Sequence, residues 1–540
     1  MVVVRTSRPE LESDFPAGTL ELIRNGVETF GYSVEVSGDD VKIELNPDRL
    51  DLCSLDSLVE SLRIFYSSGT ANDKFKFHRN SIFSASPEAY GLRSVVGTLI
   101  ARGKPIGSGL QRLITYQEKI HDTVGKGRSL SSIGIHDMDN IVLPFSMSSE
   151  ENQITRMTTY DGMDGTLQDI LEKHEVGRKY ASLIPSPTHS PVIRDAEGRI
   201  MSVPPVVNGV VSRIAGSTRN FVVDVTGTDI QAVKNSMFLL ARSFSCMRYS
   251  VELFPVLSNG QKCNLEKFHL RDVRISQGSI EKALGTRIST RESMNALKKM
   301  GYLPPSGRSS DPPRVPGYRI DVMGEIDAIE DIMKAVGLSN IPERAMHLST
   351  TGESDNARDF AQLCRTVLAG AGLQETKSFA ITSEKFFRGI GSNSGYEVLN
   401  PKSEESSVLR DKLYPNMLNL LRINKRRPLP QRIFEIGDVV SGGTQETHLC
   451  VMIEDSISDF SVIRKEMDYF IGRIAAGEVT VNGSPVAGLI GGRCGTITLD
   501  GKGIGVIGEV HPETLERFEL QNPVSMMEIT LEKLYFSGPA

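Results

Sequence analysis

The chain has 540 residues, of which 39% are hydrophobic and 24% charged, and its net charge is −6 at pH 7. At about 100–200 residues per domain, this length predicts three to five domains, and the ordinary composition indicates a soluble globular protein. No apolar run approaches the roughly 18 residues of a membrane span, and the acidic total argues against nonspecific coating of nucleic acid.

The N-terminal segment and the cysteines both indicate a cytoplasmic location. MVVVRTSRPELESDF has only a short valine patch before its acidic residues, which is unlike a secretory signal. The six cysteines are scattered, with no CxxC pair and no close histidine. This spacing predicts buried or free thiols rather than a disulfide framework or a zinc site.

The first block, residues 1–70, combines a strand with a helix. VKIEL alternates apolar and polar residues, which predicts a strand. The apolar spacing that begins at Leu55 predicts an amphipathic helix. The polar segment 67–81 that follows is interpreted as a linker.

A mixed α/β region follows, at residues 82–255. GLQRLITYQEKIHDTVG predicts a helix and FVVDVTG an apolar strand. Five prolines favour a loop over about residues 185–205.

Two features of this region could carry chemistry. Asp224 and Thr226 belong to DVTGTD, which places polar side chains at the end of an apolar strand. Such a strand end lines a pocket about as often as it forms a turn. His121 and His136 stand alone in a polar context, and neither is assigned to a nucleophile triad.

The third region, residues 264–345, predicts a small helix-turn-helix-like module. Ser289 and Glu292 match the S-x-x-E pattern of a capping box. Gly285 and Gly301 stand where two short helices would end.

A cluster of acidic residues follows these two helices. Asp327, Glu330 and Asp331 share one side of a predicted helix, and Asp321 lies one loop before it. Converging carboxylates suit Mg²⁺. The alternative is that they complement the helix macrodipole on a solvated face, and the residues alone favour this alternative.

The last region, residues 351–540, predicts an antiparallel sheet with flanking helices. GKGIGVIGEV matches G-x-G-x-x-G, but a strand-like segment follows it instead of a helix, so the prediction is a hairpin and not a nucleotide site. The basic segment 422–432 could face an RNA backbone, although a solvated edge or a subunit contact is at least as well supported.

Five blocks, taken in order, resemble the phenylalanyl-tRNA synthetase beta chain family. They are VKIELNPDRLDLCSLDSL, QEKIHDTVGKGRSLSSIGIHDMDNI, VPPVVNGVVSRIAGSTRNFVVDVTGTD, RIDVMGEIDAIEDIMKAVGLSNIP and the two-part block VLNPKSEESSVLRDKLYPNMLNLLRINKRRPLPQRIFEIGDVV with IGVIGEVHPETLERFELQNPV. The length leaves no room for the inserted and C-terminal domains of the longer bacterial chains. The resemblance is therefore to the shorter archaeal and eukaryotic type.

The resemblance implies an α+β multidomain chain with a tRNA-editing α/β domain, a helix-turn-helix-like domain and a class II synthetase-like domain. In the last domain Arg432 precedes Glu435 by three residues instead of two, and the glycine-rich ATP motif is not recognisable. The resemblance thus implies a separate alpha chain that binds ATP, an (alpha-beta)2 heterotetramer, and tRNA(Phe) as a further partner.

The resemblance also assigns site residues. It implies that Asp321, Asp327, Glu330 and Asp331 bind Mg²⁺ at a site shared with the alpha chain. It makes Asp224 and Thr226, and less directly Asn208, the residues of a pocket that hydrolyses tyrosyl-tRNA(Phe). Two other functions stay open, namely a stand-alone hydrolase of mischarged tRNA and a scaffold that binds RNA.

Overall fold

The computed structural model describes residues 2–67, 75–305, 311–343, 350–392 and 395–535. It divides the chain into two compact units, residues 1–346 and residues 347–540. Among the described residues, no helix combines the length and the apolar character that crossing a bilayer requires.

The first unit mixes strands and helices, each numbered in chain order. Its strands are β1 (Val2–Ser7), β2 (Ser33–Ser37), β3 (Asp40–Leu45), β4 (Phe75–Phe77), β5 (Phe83–Ala85), β6 (Val95–Arg102), β7 (Ser131–Asp137), β8 (Phe145–Glu151), β9 (Arg156–Thr158), β10 (Asp164–Thr166), β11 (His189–Arg194), β12 (Ile200–Val203), β13 (Val207–Asn208), β14 (Asn220–Gly227), β15 (Ser250–Leu253), β16 (Val256–Ser258), β17 (Gln261–Cys263), β18 (Leu270–Asp272) and β19 (Arg314–Pro316). Its helices are α1 (Arg8–Asp14), α2 (Thr19–Asn25), α3 (Val27–Phe30), α4 (Leu55–Ser67), α5 (Pro87–Leu92), α6 (Gly109–Asp122), α7 (Leu167–Lys173), α8 (Glu175–Tyr180), α9 (Ile230–Cys246), α10 (Gln277–Leu284), α11 (Thr290–Lys299) and α12 (Glu325–Val336).

A seven-stranded sheet carries the centre of this unit. Its main path is β17-β16-β6-β14-β7, and β15 pairs with both β4 and β6. On β14, Val223 and Val225 share a core with Met237 of α9. Val222 shares a different core with Met147 of β8 and Ile193 of β11. Successive side chains of a strand alternate between faces, so β14 is covered on both sides.

Several local predictions are confirmed in this unit. VKIEL lies in β3, and the helix predicted from Leu55 is α4, whose Leu58 and Leu62 are fully buried. FVVDVTG lies in β14, and the helix predicted from GLQRLITYQEKIHDTVG is α6. Each segment has apolar residues at the period of its element, which is why the local pattern sufficed.

Two loop predictions are wrong. The region 185–205 contains strands β11 and β12, although Pro191 lies in β11. Pro191 pairs with Ser149 of β8, while β12 pairs only with Ile193 and Arg194 of β11. Pro191 lacks a backbone N–H, and at this position it does not have to donate a hydrogen bond to β12.

The predicted linker 67–81 is wrong in its second half, and its residues 68–74 lie outside the described residues. Phe75–Phe77 forms β4 and pairs in parallel with β15. Beside it, Lys76 and His78 contact Glu252 of β15 at 3.4 and 2.6 Å. Those charged side chains belong to a sheet edge, which explains the polar composition.

The capping prediction in the region 264–345, predicted to be helix-turn-helix-like, is confirmed. Ser289 and Glu292 form a reciprocal capping box at the start of α11. Gly285 ends α10 in the left-handed conformation, at φ 66°, a conformation that favours glycine. Gly301, at φ 90°, follows Met300, the C-cap residue of α11.

The second unit is built on another seven-stranded sheet. Its strands are β20 (Gln374–Glu375), β21 (Ile381–Thr382), β22 (Tyr396–Glu397), β23 (Val408–Leu409), β24 (Gln431–Ser441), β25 (Thr444–Glu454), β26 (Val479–Gly483), β27 (Leu489–Leu499), β28 (Lys502–Val510) and β29 (Val524–Thr530). Its helices are α13 (Asn356–Gly370), α14 (Glu384–Gly389), α15 (Tyr414–Ile423), α16 (Phe460–Ile474), α17 (Pro512–Arg517) and α18 (Leu531–Tyr535).

The sheet order is β20-β24-β25-β29-β28-β27-β26, and β20–β24 is its parallel pair. The predicted hairpin is confirmed, because β27 and β28 pair antiparallel with Leu499 opposite Lys502. Helices α13 and α16 pack against one core of this sheet. The division of the whole chain into four domains stays a prediction.

Candidate functional site

A cavity of about 370 Å³ lies beside β7, the last strand of the central sheet path of the first unit. This volume is within the range of about 300–1,000 Å³ that is usual for small-ligand sites. Apolar side chains form much of its wall, among them Ile114, Ile133, Ile135, Val203, Val206 and Val207. Polar side chains are interspersed, among them Gln117, Glu118, Arg128, Ser132, Asn208, Ser212, Arg213 and Asp224. A mixed wall of this kind can bind an apolar ring and recognise one polar group on it.

Asp224, a predicted pocket residue, lines the cavity and is held from behind by a histidine. Its Oδ1 lies 2.6 Å from Nε2 of His136, and Nδ1 of His136 lies 2.7 Å from Oγ of Ser212. His136 is fully buried. The description of His136 as isolated in a polar context is therefore wrong, since neighbouring strands bring it to Asp224.

Thr226, the second predicted residue, is fully buried and does not itself line the cavity. Its Oγ1 lies 3.0 Å from Oγ of Ser132, which does line it. Its carbonyl oxygen accepts a hydrogen bond from Arg93 at 2.9 Å, and Arg93 also donates to Ser132 at 3.1 Å. Thr226 thus supports the wall through Ser132.

Asn208, the third predicted residue, lines the cavity from β13. Its Nδ2 donates to the carbonyl of Ile135 on β7 at 3.4 Å, which ties the two walls together. The structure therefore brings Asp224 and Asn208 to one cavity and places Thr226 immediately behind it.

A charged group borders the same cavity. Arg128 donates to Glu118 at 3.0 Å, and its guanidinium stacks 4.3 Å above the ring of Tyr180. Nδ1 of His121 lies 3.1 Å from Glu118, while its Nε2 accepts from the backbone N–H of Ile133 at 2.8 Å. These contacts fix the Nδ1–H tautomer of His121, so this histidine is also not isolated.

Burial and partners shift the pKa values of these groups. Burial raises the pKa of Glu118, but hydrogen bonds from His121 and Arg128 outweigh it and bring this pKa down to about 2. Burial lowers the pKa of His121. Burial also lowers the pKa of Arg93 to about 10, while the charge of Asp224 acts in the opposite direction. Arg93, which contacts Ser132 and the carbonyl of Thr226, is thus a buried cation near Asp224 but is not part of the cavity wall.

The four acids expected to bind Mg²⁺ have different environments. Arg319 is 1% exposed and donates to Asp321 at 2.7 and 3.0 Å and to Asp331 at 2.6 Å. Asp331 also accepts from the hydroxyl of Tyr302 at 2.8 Å. Burial raises the pKa of Asp321, but the Arg319 charge outweighs it and lowers this pKa overall.

Asp327 and Glu330 contact neither Arg319 nor each other. Asp327 accepts from the backbone N–H groups of Met323 and Gly324, at 2.7 and 2.8 Å, at the start of α12. Glu330 pairs with Lys334 at 2.9 Å and is 52% exposed. Within the part of the chain that the structure describes, no three His, Cys, Asp or Glu side chains form a group that could hold a metal ion.

These four residues therefore do not fit a metal site by themselves. The guanidinium of Arg319 occupies the space between two of the carboxylates, and its fixed positive charge would repel a divalent cation placed there. Any metal would depend on Asp327 and Glu330, together with ligands from another chain.

In the second unit, the acid of the segment predicted to be class II-like also has an ion-pair partner within the chain. Glu435 is fully buried and pairs with Arg410 at 2.9 Å. Arg432 binds Glu466 at 2.5 Å. In the basic segment, Lys425 pairs with Glu519 at 2.9 Å, while Arg426 and Arg427 are exposed.

Sequence reasoning missed His136 and Ser212 at the cavity. The signal for His136 was its place in SSIGIHD, whose small and apolar residues predict a fully buried strand. A histidine buried in such a strand needs a polar partner. No comparable local signal marks Ser212, because it meets His136 across 76 residues of sequence.

Comparison with known proteins gives consistent results along the chain. Residues 341–531 match the family model for the phenylalanyl tRNA synthetase beta chain CLM domain, and residues 273–338 match that for the tRNA synthetase B5 domain. The phenylalanine–tRNA ligase beta subunit of Thermoplasma volcanium is 41% identical over 537 residues, which cover 99% of each chain. That of Thermoplasma acidophilum is 38% identical over 542 residues, covering 100% of this chain and 99% of the relative.

A solved structure resembles part of the fold. It is an N-terminal fragment of the phenylalanyl-tRNA synthetase beta subunit of Pyrococcus horikoshii, with a TM-score of 0.56 and 23% identity. The match covers 62% of this chain and 99% of the fragment. At this identity the likeness concerns the fold alone.

Proposed function

Because the chain belongs to the family of phenylalanine–tRNA ligase beta subunits, we propose that it serves the ligase by hydrolysing tyrosyl-tRNA(Phe) and by supporting a separate alpha chain. The ligase joins phenylalanine to its tRNA at the expense of ATP. The cavity around Asp224 is the site that we assign to hydrolysis.

The chemistry of the cavity supports this assignment. A largely apolar phenylalanine site rejects tyrosine by only about 100-fold, because tyrosine merely adds a hydroxyl group. A second site can select that hydroxyl with a buried acceptor, which phenylalanine would leave unpaired. Asp224 is such an acceptor, at 4% exposure in a wall rich in valine and isoleucine.

The alpha chain would bind ATP and activate phenylalanine. In the class II-like half, Glu435 and Arg432 are both committed to ion pairs within the chain. They are therefore not available to bind a nucleotide. We propose an (alpha-beta)2 heterotetramer with tRNA(Phe) bound across it, which leaves the exposed Arg426 and Arg427 as candidates to contact RNA.

Magnesium is a proposal for the assembled ligase only. This chain would contribute Asp327 and Glu330, and Arg319 would keep Asp321 and Asp331 as an internal ion-pair group. A metal bound there would hold the two chains together by sharing oxygen ligands.

The test is deacylation of preformed tyrosyl-tRNA(Phe) by the complete ligase. Asp224→Asn removes the charge and changes little else in size. We expect hydrolysis to slow by about ten- to a hundredfold, which corresponds to the loss of one buried hydrogen bond. Charging with phenylalanine should stay near the wild-type rate, because activation belongs to another chain.

Asp139→Asn is the matched control. Asp139 follows β7 and accepts one exposed hydrogen bond, from Asn220 at 2.8 Å. Its replacement should leave both reactions unchanged. Equal deacylation by wild type and Asp224→Asn would remove Asp224 from the site.

A further inference from the structure

Behind the cavity, three side chains form a continuous hydrogen-bonded chain. Ser212, in a short turn after β13, meets His136 of β7 at 2.7 Å, and His136 meets Asp224 of β14 at 2.6 Å. Ser212 and His136 are 1% and 0% exposed. Ser212 and Asp224 both line the cavity, so the histidine joins two points of its wall.

The direction of these hydrogen bonds follows from their chemistry. The ionised carboxylate of Asp224 can only accept, so Nε2 of His136 carries a hydrogen. In the neutral imidazole, Nδ1 is then an acceptor, and the Ser212 hydroxyl donates to it. The hydroxyl of Ser212 has one hydrogen to donate. The carbonyl of Met201, at 3.3 Å, is a weaker acceptor for it than Nδ1 of His136, because the contact is longer.

A glycine makes room for this arrangement. Gly134 is the direct register partner of Asp224 on β7. A Cβ at this position would lie 2.4 Å from Oδ1 of Asp224 and 2.7 Å from Nε2 of His136. Any other residue would push these two side chains apart. The absence of a side chain at Gly134 therefore leaves the space in which Asp224 and His136 meet.

The chain leaves one carboxylate oxygen for a ligand. Oδ1 of Asp224 is bound to His136, and Oδ2 has no hydrogen-bond partner within the described ranges. Oδ2 therefore has its acceptor capacity beside the cavity, which Asp224 lines. The carboxylate is also fixed in orientation, which a lone aspartate would not be.

We propose that His136 is a positioning residue that orients Asp224 toward the hydroxyl of a tyrosyl ester. Ser212 supports His136 through a hydrogen bond, and Gly134 leaves the space in which His136 and Asp224 meet. The proposal rests on the editing function proposed above. It differs from a nucleophile triad, since the serine here holds the histidine and the bound ester meets Asp224.

The test compares hydrolysis of tyrosyl- and phenylalanyl-tRNA(Phe) by complete ligases, with KM and kcat measured separately. His136→Leu removes the donor to Asp224, and His136→Gln keeps an N–H at a similar distance. We expect His136→Leu to lower the preference for the tyrosyl ester by about tenfold, mainly through KM. His136→Gln, which keeps the N–H, should show most of the wild-type preference. Ser212→Thr, which keeps the hydroxyl, should do the same.

Two glycine variants provide a matched pair. Gly134→Ala crowds Asp224 and His136. Gly97→Ala crowds Met237 at the other partner strand of β14, where a Cβ would lie 2.2 Å from the sulfur atom. Both should strain the same sheet, but only Gly134→Ala should reduce the preference for the tyrosyl ester.

The outcomes separate the two proposals. If Asp224→Asn loses the preference while His136→Leu and Gly134→Ala keep it, the positioning role is overturned and the editing site stands. If Asp224→Asn keeps it, the site itself is wrong and the positioning role fails with it. If Ser212→Ala abolishes hydrolysis of both esters, serine acts as the nucleophile, which also overturns positioning. Phenylalanine charging confirms in each case that the complex is folded.

Discussion

Asp224 and Asp331 are aspartates of the first unit with nearly equal burial, at 4% and 3% exposure, yet their environments differ in charge. Asp331 shares the guanidinium of Arg319 with Asp321 and accepts a further bond from Tyr302. Asp224 meets an imidazole and borders a cavity. Burial alone therefore does not separate a structural acid from a candidate binding acid.

The charge of the partner makes the difference. A guanidinium is always protonated and cancels the negative charge of the carboxylates that surround it. The imidazole of His136 instead donates one hydrogen bond to Asp224, through Nε2. The Arg319 group is thus an ion-pair group within the chain, whereas Asp224 is hydrogen-bonded directly to an imidazole, lies near the buried Arg93 and lines a cavity.

The largest expected effect tests the structural half of this comparison. Arg319→Met leaves the buried Asp331 and the partly buried Asp321 without their cation. Breaking a buried ion pair in this way costs about 3–5 kcal/mol, so the first unit should unfold at a clearly lower temperature or denaturant concentration. Differential scanning calorimetry or urea unfolding measures this.

Arg156→Met is its control. Arg156 and Asp164 form an exposed pair, with 60% and 61% of their side chains accessible, and such pairs contribute about 0–1 kcal/mol. If both variants lost equally little stability, the buried ion-pair group would be no more than a surface contact.

The next prediction is that substitutions of Asp331 and Asp224 change different properties, stability in one case and deacylation in the other. Asp331→Asn should destabilise the first unit by about 1–3 kcal/mol and leave tyrosyl-tRNA deacylation unchanged. Asp224→Asn should slow deacylation while changing stability by about 1 kcal/mol or less, because its amide oxygen still accepts from His136. Thermal unfolding and deacylation are measured on the same two variants. A variant that clearly lost both stability and deacylation activity would contradict the comparison.

Local patterns predicted much of the fold. The capping box at Ser289, the hairpin of β27 and β28, and strand β14 each depend on residues that lie close in sequence, and all three are confirmed. Strand β11 was missed because a strand tolerates a proline only where no neighbouring strand needs the backbone N–H that proline lacks. The order of strands in the sheet decides this, and the local sequence does not show that order.

The candidate site was predictable in part for the same reason. Asp224 and Asn208 were identified from blocks of sequence, but His136 meets Asp224 across 88 residues and Ser212 across 76. Arg319, by contrast, is two residues from Asp321 and 12 from Asp331. A cation so close in sequence to a cluster of acids is a local signal that counts against a metal site.

A smaller effect concerns the metal of the assembled ligase. Glu330 contacts Lys334 in an i, i+4 pair, so Glu330→Gln should cost the isolated fold only about 0.2–0.5 kcal/mol. If Glu330 binds Mg²⁺ in the complex, a tenfold weaker site would lower the metal-dependent stabilisation by about 1.4 kcal/mol. Excess Mg²⁺ should restore it.

The measurement is the thermal midpoint of the complex as Mg²⁺ is titrated. Glu281→Gln, an exposed acid on α10, is the matched control. Asp327 is a less suitable position, because it also accepts two backbone hydrogen bonds at the start of α12. An unchanged Mg²⁺ dependence in Glu330→Gln would leave this helix face without a metal role.

The smallest expected effect belongs to Glu118, whose partners are charged or buried but whose own side chain is 45% exposed. The pKa of Glu118 lies at about 2 in the folded chain, below its usual value of 4.5. A lowered pKa in the folded state means stabilisation that is complete above pH 4.5 and is lost as the pH falls toward 2. Because water screens an exposed pair, the contribution at neutral pH should stay below about 1 kcal/mol. Glu118→Gln should therefore unfold slightly earlier than wild type at pH 7, and the difference should shrink as the pH is lowered to about 3. Calorimetric midpoints at several pH values test this, and a difference that stayed constant across that range would show that the charge of Glu118 contributes nothing to the wall of the cavity.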